Sequence, residues 1–116
     1  MNGGVEWIVD AHGCDPARLR DRAAVCALLD RVVAELDLRV LGEPLVHGFE
    51  PPGGVTALYL LTESHLCCHT YPEGGVATFN LYCCRERAPW PWAAALAEAL
   101  GAARVDVRRQ PRGGAP

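Results

Sequence analysis

The chain has 116 residues, half of them hydrophobic, which fits one compact domain and leaves no room for a second. The formal net charge is −3, and the eleven basic residues, all arginines, are spread along the chain, which argues against a nucleic-acid partner. No apolar stretch could span a membrane, and the N-terminus lacks the pattern of a signal peptide, so we expect a cytoplasmic protein with no membrane partner.

The first part of the chain predicts a strand, a helix and a second strand. Residues 5–11 (VEWIVDA) have the composition of a strand. Asp15 and Pro16 form an N-cap and first-turn pair, and apolar residues then recur at helical spacing over residues 16–36. Residues 38–49 predict another strand.

The second part of the chain predicts four strands and one helix, after a proline- and glycine-rich loop at residues 50–54. The predicted strands cover residues 55–61, 64–71, 75–83 and 105–108, and the predicted helix covers residues 89–100. Strands without an intervening helix pair antiparallel, and both helices would cover one face. We therefore expect an α+β two-layer sandwich over residues 1–110, followed by a disordered tail at 111–116.

Six cysteines could suggest disulfides or a zinc site, but their spacing favours neither. Two pairs are adjacent in sequence, and neighbouring residues on a strand face opposite sides of a sheet. There is no C-x-x-C spacing, so we expect no metal, and reduced thiols fit a cytoplasmic protein. Before any family resemblance is considered, even this weakly supported zinc site and a purely structural role both rank above any particular catalytic function.

Residues 60–84 concentrate the groups that could carry chemistry. Glu63-Ser64-His65-Leu66 is followed by His69-Thr70-Tyr71-Pro72-Glu73 and then by Cys84. These blocks, at this spacing, resemble the core of the small prokaryotic S-adenosylmethionine decarboxylases. The resemblance extends over roughly residues 4 to 107 and includes the segments at 13–15, 47–49 and 54–56.

The resemblance implies that the chain cuts itself between Glu63 and Ser64. The Ser64 hydroxyl would attack the Glu63 carbonyl, and elimination of the resulting ester would leave a pyruvoyl cofactor at position 64. The products would be a β chain of residues 1–63 and an α chain of residues 64–116. The resemblance assigns His69 as the base for the elimination, and Thr56 as a second hydroxyl that stabilises the intermediate.

The resemblance also implies the parts of the turnover site. The pyruvoyl group would accept electrons as carbon dioxide leaves, and Cys84 would return a proton to the substrate. The sequence contains no lysine, which excludes the Schiff base that pyridoxal phosphate needs. Phe49 would stack on adenine, Glu73 would bind the ribose hydroxyls, and Leu66 and Tyr71 would line the pocket.

The sequence departs from the family pattern at positions where substrate identity could be decided. Glu6 replaces a histidine, Tyr71 a tryptophan and Asn80 an aspartate. We expect S-adenosylmethionine as the substrate, with the decarboxylated product used in spermidine synthesis. An added acid such as Glu6 would also suit arginine or ornithine, the substrates of some homologues. A non-catalytic, unprocessed homologue is the alternative from another class, and the resemblance implies a homodimer.

Overall fold

Six strands pair into one antiparallel sheet in the computed structural model, which describes residues 3–114. Their spatial order is β2-β3-β4-β5-β1-β6. The strands are β1 (Gly3–His12), β2 (Leu45–Gly48), β3 (Val55–Leu61), β4 (Ser64–Tyr71), β5 (Val76–Cys83) and β6 (Arg104–Gly113). The helices are α1 (Pro16–Leu19), α2 (Arg22–Glu35) and α3 (Trp92–Leu100), with a 3₁₀ turn at Pro72–Gly74.

Strict alternation divides the central strands into a core face and an open face. In β3, Val55, Ala57 and Tyr59 are buried, and they join α2 and α3 residues in one hydrophobic core. The alternate residues lie on the face that the helices leave uncovered, which we call the open face. Its central positions are Glu6, Thr56, Leu58, Leu60, His65, Cys67, His69, Tyr71, Thr78, Asn80 and Tyr82. The predicted α+β two-layer sandwich is confirmed.

The single helix predicted over residues 16–36 is two helices. Asp15 caps α1 by accepting a hydrogen bond from the Ala17 N–H, at 2.9 Å. Asp21 caps α2 in the same way, accepting from the Ala24 N–H at 3.2 Å. Because Asp21 takes the extended conformation of an N-cap, the chain changes direction there although the apolar spacing continues.

The strand predicted over residues 38–49 shortens to β2. Gly42 has a φ of 70° and interrupts the extended backbone, so that only an isolated bridge from Val40 to Leu61 precedes it.

The last strand, by contrast, is longer than predicted, and it includes part of the tail that was predicted to be disordered. The strand β6 pairs with β1 over its whole length, from Gly3 with Gly113 to His12 with Arg104. Residues 111–113 are therefore part of the sheet. The strand is mostly exposed, so no apolar alternation marks it, and backbone pairing alone sets its length. Residues 115 and 116 of the predicted tail lie outside the described residues.

The described residues show free cysteines throughout. Cys68 is fully buried, whereas its neighbour Cys67 lies on the open face, as the alternation predicts. Across residues 3–114 there is no cluster of three or more histidine, cysteine or acidic side chains suited to a metal ion. No helix in this range has the length and apolarity needed to cross a membrane.

Candidate active site

A two-residue turn places the Glu63–Ser64 peptide at one end of the sheet. Thr62 and Glu63 connect β3 to β4, and Ser64 pairs with Leu61 across that hairpin. The Thr62 N–H donates to the Arg39 carbonyl at 3.0 Å, which ties the turn to the segment before β2. The peptide is thus held at a defined position, at the point where a strand begins.

The Glu63 carbonyl already has a hydrogen-bond donor. The backbone N–H of Cys84 donates to this oxygen at 3.2 Å, immediately after β5 ends. A donor aimed at a carbonyl oxygen polarises it and stabilises the negative charge that develops when a nucleophile adds. Ser64, the next residue, carries a hydroxyl and pairs with Cys83 on the neighbouring strand.

The two adjacent cysteines occupy different environments. Cys83 is 2% exposed in the core, and burial raises the pKa of its thiol, although the Ser64 hydroxyl and the Arg87 charge oppose that rise. Cys84 lines a cavity of about 580 Å³ that Ser64 also lines. We call this the cleavage cavity, and its lining residues are Glu6, Leu60, Leu61, Thr62, Glu63, Ser64, His65, Tyr82, Cys84 and Arg112. Only Cys84 of the two faces the space where a substrate could enter.

A polar network joins Glu6, His65 and Arg112 of the cleavage cavity to Asn80. Asn80 and Arg112 both donate to the Glu6 carboxylate, and these two hydrogen bonds hold the pKa of Glu6 below its usual value. His65 Nε2 lies 3.0 Å from Asn80 Oδ1, and its ring stacks on Tyr82 with centroids 5.7 Å apart. The negative charge of Glu6 is therefore already matched within the chain.

The sequence analysis did not predict a site role for three of these residues, His65, Tyr82 and Arg112. His65 could have been found, since it alternates with the apolar Leu66 on a predicted strand and therefore lies on the same side of the sheet as His69. Arg112 could not, because the exposed strand that carries it has no apolar signature.

The predicted base lies at the other end of β4. Thr56 Oγ1 is 3.0 Å from His69 Nδ1, and the two residues are direct partners in the β3–β4 register. They line a second cavity of about 540 Å³, which we call the histidine cavity. Its other lining residues are Phe49, Gly53, Gly54, Thr70, Tyr71 and Glu73.

Thr70 explains why the loop before β3 packs so closely against this cavity. Its hydroxyl donates to the Leu19 carbonyl at 2.7 Å and accepts from the Val55 N–H at 2.8 Å. A Cβ atom at position 54 would lie 2.3 Å from the Thr70 hydroxyl and carbonyl oxygens, so only glycine fits there. The Gly54-Val55-Thr56 segment thus brings Thr56 to His69.

One chain does not bring the predicted catalytic residues together. Ser64 and His69 are five residues apart on one straight strand, a separation of about 17 Å at about 3.4 Å per residue. The expectation that His69 lies beside Ser64 is therefore wrong within a single chain. The prediction for Leu66 is also corrected, because Leu66 points into the core and is fully buried, where it lines neither cavity.

Between the two cavities the open face is apolar and uncovered. Leu58 and Leu60 of β3 are 42% and 60% exposed, and Leu45 of β2 is 70% exposed. Together with Leu41 they line a shallow cavity of about 460 Å³. Contiguous apolar surface of this kind is typical of a face that another protein covers.

Comparisons with known proteins identify the family. The family model described as S-adenosylmethionine decarboxylase matches residues 5–113. The crystal structure of the adenosylmethionine decarboxylase from Aquifex aeolicus VF5 matches with a TM-score of 0.80 and 25% identity, over 99% of this chain and 94% of that one. The fold and the matched segment together define a decarboxylase domain.

Two curated relatives agree with this class. The S-adenosylmethionine decarboxylase proenzyme of Parasynechococcus marenigrum (strain WH8102) is 36% identical over 106 residues, covering 90% of this chain and 81% of that protein. The proenzyme of Caldicellulosiruptor saccharolyticus is 32% identical over 114 residues, covering 95% and 88%. The chain belongs to the S-adenosylmethionine decarboxylase family, and the predicted family is confirmed.

Proposed function

We propose that this protein decarboxylates S-adenosylmethionine, for use in spermidine synthesis, with a pyruvoyl group made from its own Ser64. One observation carries the proposal: the carbonyl that precedes Ser64 accepts a hydrogen bond from the Cys84 N–H, inside a cavity that Ser64 and Cys84 share. The relatives named proenzymes support a processing step, since a proenzyme must be converted to its active form.

The processing chemistry follows from the groups at the turn. The Ser64 hydroxyl oxygen bonds to the Glu63 carbonyl carbon, and the peptide C–N bond breaks to leave an ester. The Cys84 N–H stabilises the negative charge on the carbonyl oxygen during this step. Removal of the Cα proton of residue 64 then expels Glu63 as a carboxylate. Water replaces the nitrogen, ammonia leaves, and chains of residues 1–63 and 64–116 result.

The residues at the cleavage cavity fit the resulting cofactor. When present, the pyruvoyl carbonyl supplies an electron sink for the loss of carbon dioxide. The chain has no lysine with which to hold pyridoxal phosphate in its place. The Cys84 thiol lines the same cavity as residue 64 and is the group we assign to protonate the substrate carbon.

We further propose that two copies of the chain complete each site. A two-fold dimer that pairs the open faces would place the histidine cavity of one copy against the cleavage cavity of the other. Thr56 engages Nδ1 of His69, which leaves Nε2 to act on the partner's cleavage site. The exposed leucines between the cavities provide the apolar area that such a pairing would bury.

The open face favours S-adenosylmethionine over arginine or ornithine. Phe49 and Tyr71 are about half exposed at the histidine cavity, where an adenine ring and a sulfonium could both meet aromatic faces. Glu73 lines the same cavity and can accept from ribose hydroxyls. As a free anion Glu6 would suit the second cationic group of arginine or ornithine, but Arg112 and Asn80 already bind its carboxylate.

The purified protein tests this proposal directly. Intact-mass analysis should find two chains whose masses correspond to residues 1–63 and 64–116, the second beginning with a ketone that reacts with phenylhydrazine. Release of carbon dioxide should be fastest from S-adenosylmethionine when arginine and ornithine are offered in parallel. A single uncut chain with an unmodified Ser64 would refute the proposal, and faster release from arginine or ornithine would refute its substrate.

A further inference from the structure

Two arginines of the loop after β5 converge on the residue that precedes the proposed cut. Arg85 Nε lies 2.8 Å from Glu63 Oε2, and Arg87 Nη2 lies 3.7 Å from the same oxygen. Within residues 3–114 neither arginine pairs with any other acid. The uncut chain therefore sets two guanidinium groups against one carboxylate.

The pairing in the uncut chain is also geometrically incomplete. Arg87 is only 18% exposed, and its buried Nε has no hydrogen-bond partner among the described residues. Glu63 Oε2 likewise has none, because the short contact from Arg85 is an ion pair whose N–H is not aimed at that oxygen. An unmatched buried donor beside a residue whose backbone changes chemically requires an explanation.

Cleavage would change the charge at this position, if the proposed function holds. When the Cα proton of residue 64 is removed, its electron pair forms the Cα–Cβ double bond and the Cβ–Oγ bond breaks. The electrons of that bond leave on the α-carboxylate of Glu63. Glu63 then carries two negative charges instead of one, which matches the two guanidinium groups already in place.

We propose that Arg85 and Arg87 form a carboxylate-binding pair that positions Glu63 before the cut and binds its new α-carboxylate afterwards. Guanidinium groups suit this task because they bind carboxylates through paired N–H donors. Arg87 is the principal member, since Arg85 is 60% exposed. The pair stabilises the leaving carboxylate during elimination and keeps the end of the 1–63 chain beside the cleavage cavity.

Processing kinetics of Arg87→Gln and of Arg85→Gln/Arg87→Gln test this proposal. Both variants should accumulate the Glu63–Ser64 ester, which hydroxylamine cleaves and a denaturing gel then reveals. We expect conversion about tenfold slower for Arg87→Gln, as for the loss of one hydrogen bond to a charged group. Arg87→Lys should recover part of the rate. Arg109→Gln is the matched control, since Arg109 pairs with Glu86 of the same loop and not with Glu63.

Thermal unfolding separates this role from a merely structural one. In an uncut Ser64→Ala background, Arg87→Gln should lower the midpoint by the loss of one ion pair to the Glu63 side chain. In the mature protein it should lower the midpoint further and loosen the 1–63 chain, because the new α-carboxylate loses its partner as well. Equal shifts in both backgrounds would overturn this proposal. So would an Arg87→Gln variant that matures at the wild-type rate without accumulating ester. The proposed function would still stand in either case, provided that the wild-type protein is cut. An uncut wild type in the same gel would overturn both.

Discussion

The two ends of strand β4 carry different kinds of chemistry. At the cleavage end, backbone and charged groups surround one peptide: the Cys84 N–H on its carbonyl and arginines on its acid. At the histidine end, a Thr56–His69 side-chain pair lies beside exposed aromatic residues and Glu73. The first end has the bond to be cut but lacks His69, the base that the resemblance assigns, and its own His65 lies against Asn80. The second end has the assigned base without a bond to cut. Each end thus supplies what the other lacks.

The largest effect should follow from removing the nucleophile at the cleavage end. Ser64→Ala has no hydroxyl to attack Glu63, so it should remain one uncut chain and release no carbon dioxide from S-adenosylmethionine. A denaturing gel and an assay of carbon dioxide release measure both outcomes. Thr62→Ala is the control, because the Thr62 contact to Arg39 uses only backbone atoms and cleavage should persist. Cleavage of Ser64→Ala would show that the Ser64 hydroxyl is not the nucleophile.

Changes at the histidine end should stop processing one step later. His69→Ala keeps Ser64, so it should form the ester and stall there, and hydroxylamine should then split the chain. Thr56→Val loses the 3.0 Å contact to His69 Nδ1 and should slow the same step less severely, whereas Thr56→Ser should restore it. The control His12→Ala alters a histidine at the end of β1 and should process normally. Normal maturation of His69→Ala would show that the histidine end takes no part in processing.

Substitution of the two neighbouring cysteines should separate turnover from stability. Cys84→Ala should process to some extent but release carbon dioxide about 10²-fold more slowly, as expected for loss of a general acid. Cys83→Ala should keep its turnover and lose about 1 kcal/mol of unfolding free energy, because it empties a core position. Turnover rates and thermal unfolding, measured for both variants, distinguish the catalytic role of Cys84 from the structural role of Cys83. Full turnover by Cys84→Ala would mean that another group donates the proton.

The smallest effect should come from Glu6, which acts on stability through its charge. Its pKa is lower in the folded chain than the ordinary value of 4.5, so ionised Glu6 stabilises the fold above that value. This stabilisation should fade as the pH falls through the lowered pKa. Glu6→Gln should therefore unfold at a lower temperature than wild type at pH 7, and the difference should narrow in acid. Glu43→Gln, at an exposed position, is the control. A difference in unfolding temperature that grows in acid would contradict the predicted pH dependence.

The sequence predicts the buried strands well because alternation and core burial coincide there. Residues 55–61 and 64–71 are found as predicted, and they position Thr56, Ser64 and His69 on defined sides of the sheet. The capping role of Asp21 and the exposed pairing of β6 with β1 were not predicted, since neither leaves an apolar pattern. The spacing of the motifs identifies candidate site residues, but it does not predict which of them lie close together in space. Residues only five positions apart on one strand, such as Ser64 and His69, are about 17 Å apart.

Mixed dimers test most directly whether the two ends work across two copies. Ser64→Ala supplies an intact Thr56–His69 pair, and His69→Ala supplies an intact Ser64, although neither chain can mature alone. Coexpressed, they should form dimers with one complete site, so the His69→Ala chain should be cut and decarboxylation of S-adenosylmethionine should return to about a quarter of the wild-type level under random pairing. If the His69→Ala chain stays uncut in verified mixed dimers, the division of the site between two copies is contradicted.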